Sequence, residues 1–281
     1  MNFLRNMLIL VITLFACSTS NSNNNGTISK YDFSKPQQIK ITSKLTEISD
    51  LTTSGDDFIF AINDEVGIIY KLEPKTGEIV KRFFLGRWTA EADFEGIAIS
   101  EDFLYTITSG GILYKFKEGN NEEAVDYEII KLPFSSKFNI EGLYYDSELN
   151  GLLVVPKEYA GKKYKNQRAI YLYSFNTNSI SKEPILLISL SILKKKFSIN
   201  DFYPSGITKH PLTKNYIIIS ARGDNAIVEI DKKGEIIAAI NLKEKTHRQP
   251  EGITILSDLS LLISDEGAGK KPTITRYLYK D

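Results

Sequence analysis

The chain has 281 residues, 35 basic and 35 acidic side chains, 11% aromatic residues and one cysteine. That charge balance argues against a polyanion-binding surface, so nucleic acid is not an expected partner. One cysteine rules out a disulfide framework, and 42% hydrophobic residues are ample for a sizeable core.

Residues 1–16 start Met1-Asn2-Phe3-Leu4-Arg5 and continue as an apolar run from Met7 to Ala16, broken by Thr13. This is the basic start and short apolar centre of a secretory signal, and it is shorter than the roughly 20 residues of a spanning helix. It ends in Leu14-Phe15-Ala16-Cys17, which resembles the lipobox of bacterial lipoproteins. The resemblance implies that Cys17 carries acyl chains such as palmitate and becomes the mature N-terminus; the alternative is an ordinary signal with an incidental thiol. Ser18 to Gly26 is nearly all serine and asparagine and reads as flexible. The expected organisation is a signal at 1–16, a lipidated cysteine and tether at 17–36, and a folded domain at 37–281. Two acyl chains hold a protein stably at a bilayer, so the expected location is the cell envelope, with a lipid bilayer as partner. Ser18 is not the aspartate that retains lipoproteins at the inner membrane, which favours the outer membrane.

Within the folded domain a short pattern recurs five times: Ile48-Ser49-Asp50-Leu51, Phe94-Glu95-Gly96-Ile97, Ile140-Glu141-Gly142-Leu143, Pro204-Ser205-Gly206-Ile207 and Pro250-Glu251-Gly252-Ile253. The steps are 46, 46, 64 and 46 residues. Each occurrence is followed by further short runs rich in Ile, Val, Tyr and Phe, separated by Gly, Asn and Asp, which are hairpin signals. Four strands in a unit of this length make a propeller blade. The expected fold is therefore all-β, a five-bladed β-propeller of four-stranded blades, with six blades as the alternative.

The last unit ends after a third strand, Ile274 to Tyr279, while Gln38 to Thr42 precedes the first unit without a sheet of its own. Closure follows if that N-terminal strand completes the last blade, which removes an exposed edge. The longer step contains the polar loop Tyr159 to Arg168 and the segment Ser191 to Tyr203 with Lys194-Lys195-Lys196. The lysines read as a solvated face, and either insertion is placed to cover a channel mouth.

In a blade the first strand lines the channel and the second returns beside it, so the start of one and the end of the other share a mouth. The starts carry Glu95, Glu141 and Glu251; the expected second-strand ends carry Glu65, Glu158 and Glu266, with Arg222 in the fourth unit. Converging carboxylates either raise one another's pKa or recruit a cation. Oxygen donors without a thiol suit a hard ion, and the flexible shell of Ca²⁺ suits several strands better than the octahedron of Mg²⁺. The metal set is thus Glu95, Glu141, Glu158, Glu251 and Glu266, with Glu65, Arg222 and Asp265 as outer contacts. The alternative is that each glutamate caps its own blade through backbone N–H groups.

His210 and His247 lie in separate units and read as loop residues rather than a zinc or catalytic pair. Arg222-Gly223-Asp224 reads as a hairpin turn, and Trp88 is expected to pack between blades. No phosphate loop or Ser-His-Asp arrangement is evident.

Asp93-Phe94-Glu95-Gly96-Ile97, Asn139-Ile140-Glu141-Gly142-Leu143 and Gln249-Pro250-Glu251-Gly252-Ile253, with Pro156-Lys157-Glu158 and Ser264-Asp265-Glu266, resemble the bacterial SdiA-regulated family from about Leu45 onward. That family is similar to NHL-repeat proteins, and the resemblance implies a five-bladed propeller with bound calcium and no established activity. Ser109-Gly110-Gly111 departs from it where an acidic residue is expected. The expected function is a membrane-anchored, calcium-stapled module that binds a ligand or protein of the envelope. The rival is a calcium-dependent hydrolase of the lactonase or phytase type, which needs a general base beside the ion and, for phosphate, several Lys and Arg residues at the mouth.

Overall fold

The computed structural model describes residues 26–280; the signal, Cys17 and the first residues of the tether lie outside the described residues. Five antiparallel sheets are arranged as the blades of a propeller. The first blade comprises Ile48–Thr53, Ile59–Asn63, Ile68–Leu72 and Ile79–Leu85, and its outer strand is extended by the parallel pair Ala124–Val125. The second comprises Phe94–Ile99, Leu104–Thr108, Ile112–Phe116 and Tyr127–Lys131. In the third, Ile140–Asp146, Gly151–Pro156 and Gln167–Ser174 are followed by two short outer strands, Ser179–Ile180 and Leu186–Ser189. The fourth comprises Phe202–Lys209, Tyr216–Gly223, Ala226–Ile230 and Ile236–Asn241. The fifth comprises Pro250–Ile255, Leu261–Asp265 and Thr273–Tyr277. Gln37–Lys40 completes it antiparallel to Thr273–Tyr277, with Ile39 opposite Ile274.

The core is five layers, one at each blade junction. Ile59 and Ala61 pack toward the fifth blade with Leu262 and Ile274, whereas Phe60 and Ile62 pack toward the second with Phe94 and Ile97. Alternate side chains of one strand therefore enter different apolar layers, which explains why the second strands are continuously hydrophobic. Each fully buried Ile, Leu or Phe contributes about 1.5–3 kcal/mol.

The recurrent glycine follows from how closely the inner strands approach. A Cβ on Gly96 would lie 2.7 Å from Leu143 Cβ, and one on Gly252 would lie 2.7 Å from the backbone N of Leu51. The first blade has Asp50 at this position. Its buried carboxylate accepts from the backbone N–H of Leu51 at 2.8 Å and, across the junction, from that of Ile97 at 2.9 Å. Burial pushes this carboxyl well above its ordinary range.

Gly26 to Pro36, grouped with the tether in sequence, lies against the fourth and fifth blades. Ile28 N–H donates to Oε2 of buried Glu229 at 2.9 Å, and the Tyr31 hydroxyl donates to the Leu259 carbonyl at 2.9 Å. The apolar side chains of Ile28 and Tyr31 account for this docking. In the long insertion, Leu190–Phe197 forms a helix capped by the Ser189 side chain; Leu193 is buried and Lys194, Lys195 and Lys196 face solvent. Among the described residues, no helix is long and apolar enough to cross a membrane.

Candidate functional site

Every blade carries a β-bulge at the same place. Pairing between the first two strands shifts at Ser49, Glu95, Glu141, Ser205 and Glu251, between the flanking pairs such as Phe94–Thr108 and Gly96–Ile107. A bulged residue has no partner across the ladder, and the local twist re-aims its side chain. The repeat thus builds a ring at one mouth of the channel, with three glutamates and two serines. Glu141 and Glu251 are only 4% and 5% exposed, and the buried Ser49 hydroxyl has no hydrogen-bond partner.

The register also decides which residue of each second strand joins the ring. The residue beyond the pair that flanks each bulge is Asp64, Ser109, Lys157, Ala221 or Glu266, because Asn63, Thr108, Pro156, Ser220 and Asp265 pair with the residue before each bulge; in the fourth blade pairing resumes at Phe202–Gly223. Glu266 therefore lies where expected. Glu65, Glu158 and Arg222 lie one residue further on, and one step along a strand reverses the direction of a side chain. Glu65 is exposed. Glu158 pairs with Arg222 at 2.7 Å, both largely exposed on the rim, so the structure separates Glu158 from the other four glutamates. Arg222 also stacks over Tyr203, 4.5 Å from the ring centre, and begins the expected hairpin turn with positive φ at Arg222 and Gly223.

Lys157 is a further side chain at the mouth, not singled out from the sequence. Its Nζ donates to Glu141 Oε2 at 3.0 Å while Asn139 Nδ2 donates to Oε1 at 2.7 Å. Burial lowers the Lys157 pKa, but Glu251, Glu141 and Glu95 outweigh it and raise the ammonium above its ordinary value. One ammonium does not balance the cluster. Burial, followed by repulsion from Glu141, Asp93 and Glu251, drives Glu95 far above the carboxylate range. Burial is the leading cause for the others too: Glu251 is pushed up to about 8, Glu266 to about 7 and Asp64 to about 6. Gln249 Nε2 donates to Glu266 Oε2.

The chemistry of the donor set fits a hard divalent cation: oxygen only, excess negative charge from three blades and an unsatisfied hydroxyl in the same ring. Among the described residues no three acidic, histidine or cysteine side chains close on a single point, and Lys157 supplies the local positive charge. To share one ion these glutamates would have to move toward a common centre.

Beside the mouth is a cleft of about 720 Å³ between the fourth and fifth blades, lined by Lys157, Arg222, Arg248, Asn225, Gln249 and Glu251, among others. Asp265 does not enter the ring: its Oδ2 meets His247 Nδ1 at 2.8 Å, and His247 Nε2 meets the Tyr277 hydroxyl at 2.6 Å. Both histidines lie in loops, as expected, and both are buried. His210 Nδ1 accepts from the N–H groups of Leu212 and Thr213 at 3.3 Å. Trp88 is 89% exposed, contrary to the expected packing between blades, because the turn after Leu85 carries it away from the sheet.

Solved structures with this architecture include a luciferin-regenerating enzyme, 12% identical with TM-score 0.55, covering 87% of this chain and 95% of that one. The glutaminyl cyclase of Myxococcus xanthus is 11% identical with TM-score 0.55, covering 87% and 96%. The aldose sugar dehydrogenase of Streptomyces coelicolor, solved with bound PQQ, is 12% identical with TM-score 0.52, covering 87% and 98%. At such identities the likeness establishes the fold alone. No curated protein matches the sequence. The sequence profile of the SdiA-regulated family matches residues 24–266, and the chain belongs to that family.

Proposed function

We propose that the protein is a lipid-anchored envelope module whose acidic propeller mouth holds a calcium ion and presents the surrounding loops to an envelope ligand or protein. The observation that carries this reading is the convergence of Glu95, Glu141 and Glu251, each on a bulge of a different blade, with Glu266 beside them. These four residues are the proposed ligands, with Ser49 as a further oxygen donor. A cation there relieves repulsion that the fold otherwise meets with protons and one lysine, and it joins blades distant in sequence.

The anchor would be acylated Cys17. The chain joins the propeller at the face opposite the mouth: Thr27 Oγ1 bonds Thr213 Oγ1 at 3.0 Å, and Tyr31 packs edge-on to His210. This route supports an acidic mouth turned away from the bilayer. Titration calorimetry of Ca²⁺ into metal-stripped protein should give one saturable site, and heats of dilution alone would refute the ion. Cys17→Ala should abolish palmitate labelling and membrane recovery; persistence of both would refute the anchor.

A hydrolase is the second reading, favoured by the cleft with Lys157, Arg222 and Arg248 beside Glu251. A carboxyl titrating near neutrality is suited to general acid–base work. Calcium-dependent turnover of a lactone or phosphomonoester that disappears in Glu251→Gln would favour it over a binding module.

A further inference from the structure

A second concavity, of about 370 Å³, lies along the fifth blade at the end where its second strand closes with Asp265 and Glu266. It is bounded by the N-terminal strand Gln37–Lys40, the hairpin 267–271 and the loop that carries Lys245 to Arg248. Lys40, Lys245, Arg248, Lys270 and Lys271 line it. Among the described residues these five side chains make no ion pair, although exposed lysines and arginines elsewhere in the chain do, such as Lys163 with Glu183, Lys280 with Asp32 and Arg222 with Glu158. The concavity is within the size range of small-molecule sites.

Beneath the cationic rim is Asp265, which is 3% exposed and belongs to the lining. Its Oδ2 is paired with His247, whose other ring nitrogen meets the Tyr277 hydroxyl. Its Oδ1 is buried and has no partner. Buried polar atoms are nearly always hydrogen-bonded, and an unmet carboxylate oxygen is costly. The rim calls for an anion, whereas the floor calls for a hydrogen-bond donor.

We propose that this cleft binds the phosphate ester of a polyol, such as a phosphorylated sugar, with the phosphate among the rim cations and a ligand hydroxyl donating to Asp265 Oδ1. Phosphate alone leaves the floor unmet, and a neutral sugar leaves the rim unmet. The same chemistry is offered by a soluble sugar phosphate and by the phosphorylated headgroup of a lipid. The site shares Glu266 with the proposed calcium mouth and Arg248 with the cleft beside it.

The test uses the soluble full domain and titration calorimetry with glucose 6-phosphate, glucose and inorganic phosphate. Flotation with phosphatidylcholine vesicles, with and without phosphatidylinositol 4-phosphate, forms the second arm. Glucose 6-phosphate, or the phosphorylated vesicle, should bind at least about tenfold more tightly than its unphosphorylated counterpart, and in the soluble arm more tightly than inorganic phosphate. The paired surface change Lys270→Ala with Lys271→Ala should weaken binding by about tenfold, because charge-assisted hydrogen bonds are lost. Asp265→Asn should remove the preference for the ester over inorganic phosphate. Tight binding in the first arm alone identifies a soluble ligand, and in the second alone a lipid headgroup; either supports the site. Equal binding of glucose and glucose 6-phosphate together with no vesicle preference, or binding unchanged in the double lysine variant, would overturn it. These variants leave Glu95, Glu141 and Glu251 intact, so this result and the calcium result are independent.

Discussion

Lys157 Nζ lies 3.0 Å from Glu141 Oε2 and stands where the second strands of the first and fifth blades place Asp64 and Glu266. The third blade thus supplies both an acid and a base to one mouth. Lys157 partly neutralises a cluster that also includes Glu95 and Glu251.

Lys157→Met should separate these effects. Without a cation the variant leaves Glu141 buried beside other carboxylates, a change that typically costs about 3–5 kcal/mol. With calcium the ammonium no longer competes, so affinity should rise by at least about tenfold. Denaturant melts and calorimetry check both; a variant as stable as the parent without metal, with the same affinity, would contradict this role.

The pH dependence has a definite sign. Glu251 and Glu266 titrate at about 8 and about 7 in the fold, against an ordinary value of 4.5. Between these limits the folded state binds more protons than the unfolded state, so their contribution to stability is full below pH 4.5 and is lost as pH rises through 7 to 8. The metal-free melting temperature should therefore fall between pH 6 and pH 8.5, by about 2–4 °C per kcal/mol lost. Glu251→Gln should flatten the fall, as should saturating calcium. A metal-free melting temperature that rises over this interval would contradict the assignment.

Closure of the ring gives a third expectation. Gln37–Lys40 pairs with Lys40 opposite Thr273 and Gln37 opposite Arg276, and Ile41 is buried in the layer between the fifth and first blades. Beginning the chain at Lys44 exposes that edge and should cost several kcal/mol or cause aggregation, measured by thermal melting and light scattering. An equally stable monomer would contradict it.

Much of this architecture was legible in the sequence. The 46-residue recurrence identifies the blades, and the unmatched N-terminal strand identifies the closure, because both depend on periodicity and complete strand pairing. Glu95, Glu141, Glu251 and Glu266 were legible for the same reason. Lys157 was not, because hairpin lengths differ by a residue or two between blades and the bulge at Glu141 decides whether Lys157 or Glu158 turns inward. His247, Asp265 and Tyr277 gave no local signal, since only the pairing of Asp265 with Thr273 and the docking of the 243–248 loop bring them together. Trp88 was misplaced because a turn residue has no periodicity that assigns it to a layer.

The calcium-dependent shift in melting temperature, compared between Glu251→Gln and Glu158→Gln, decides whether the mouth holds the ion. The bulge at Glu251 aims it into the mouth, whereas Glu158 lies on the rim with Arg222. The parent and Glu158→Gln should be stabilised by added Ca²⁺ and destabilised by chelator, while Glu251→Gln should stay folded and respond to neither. A parent protein indifferent to chelator, or a response lost in Glu158→Gln and kept in Glu251→Gln, would contradict a calcium-holding mouth.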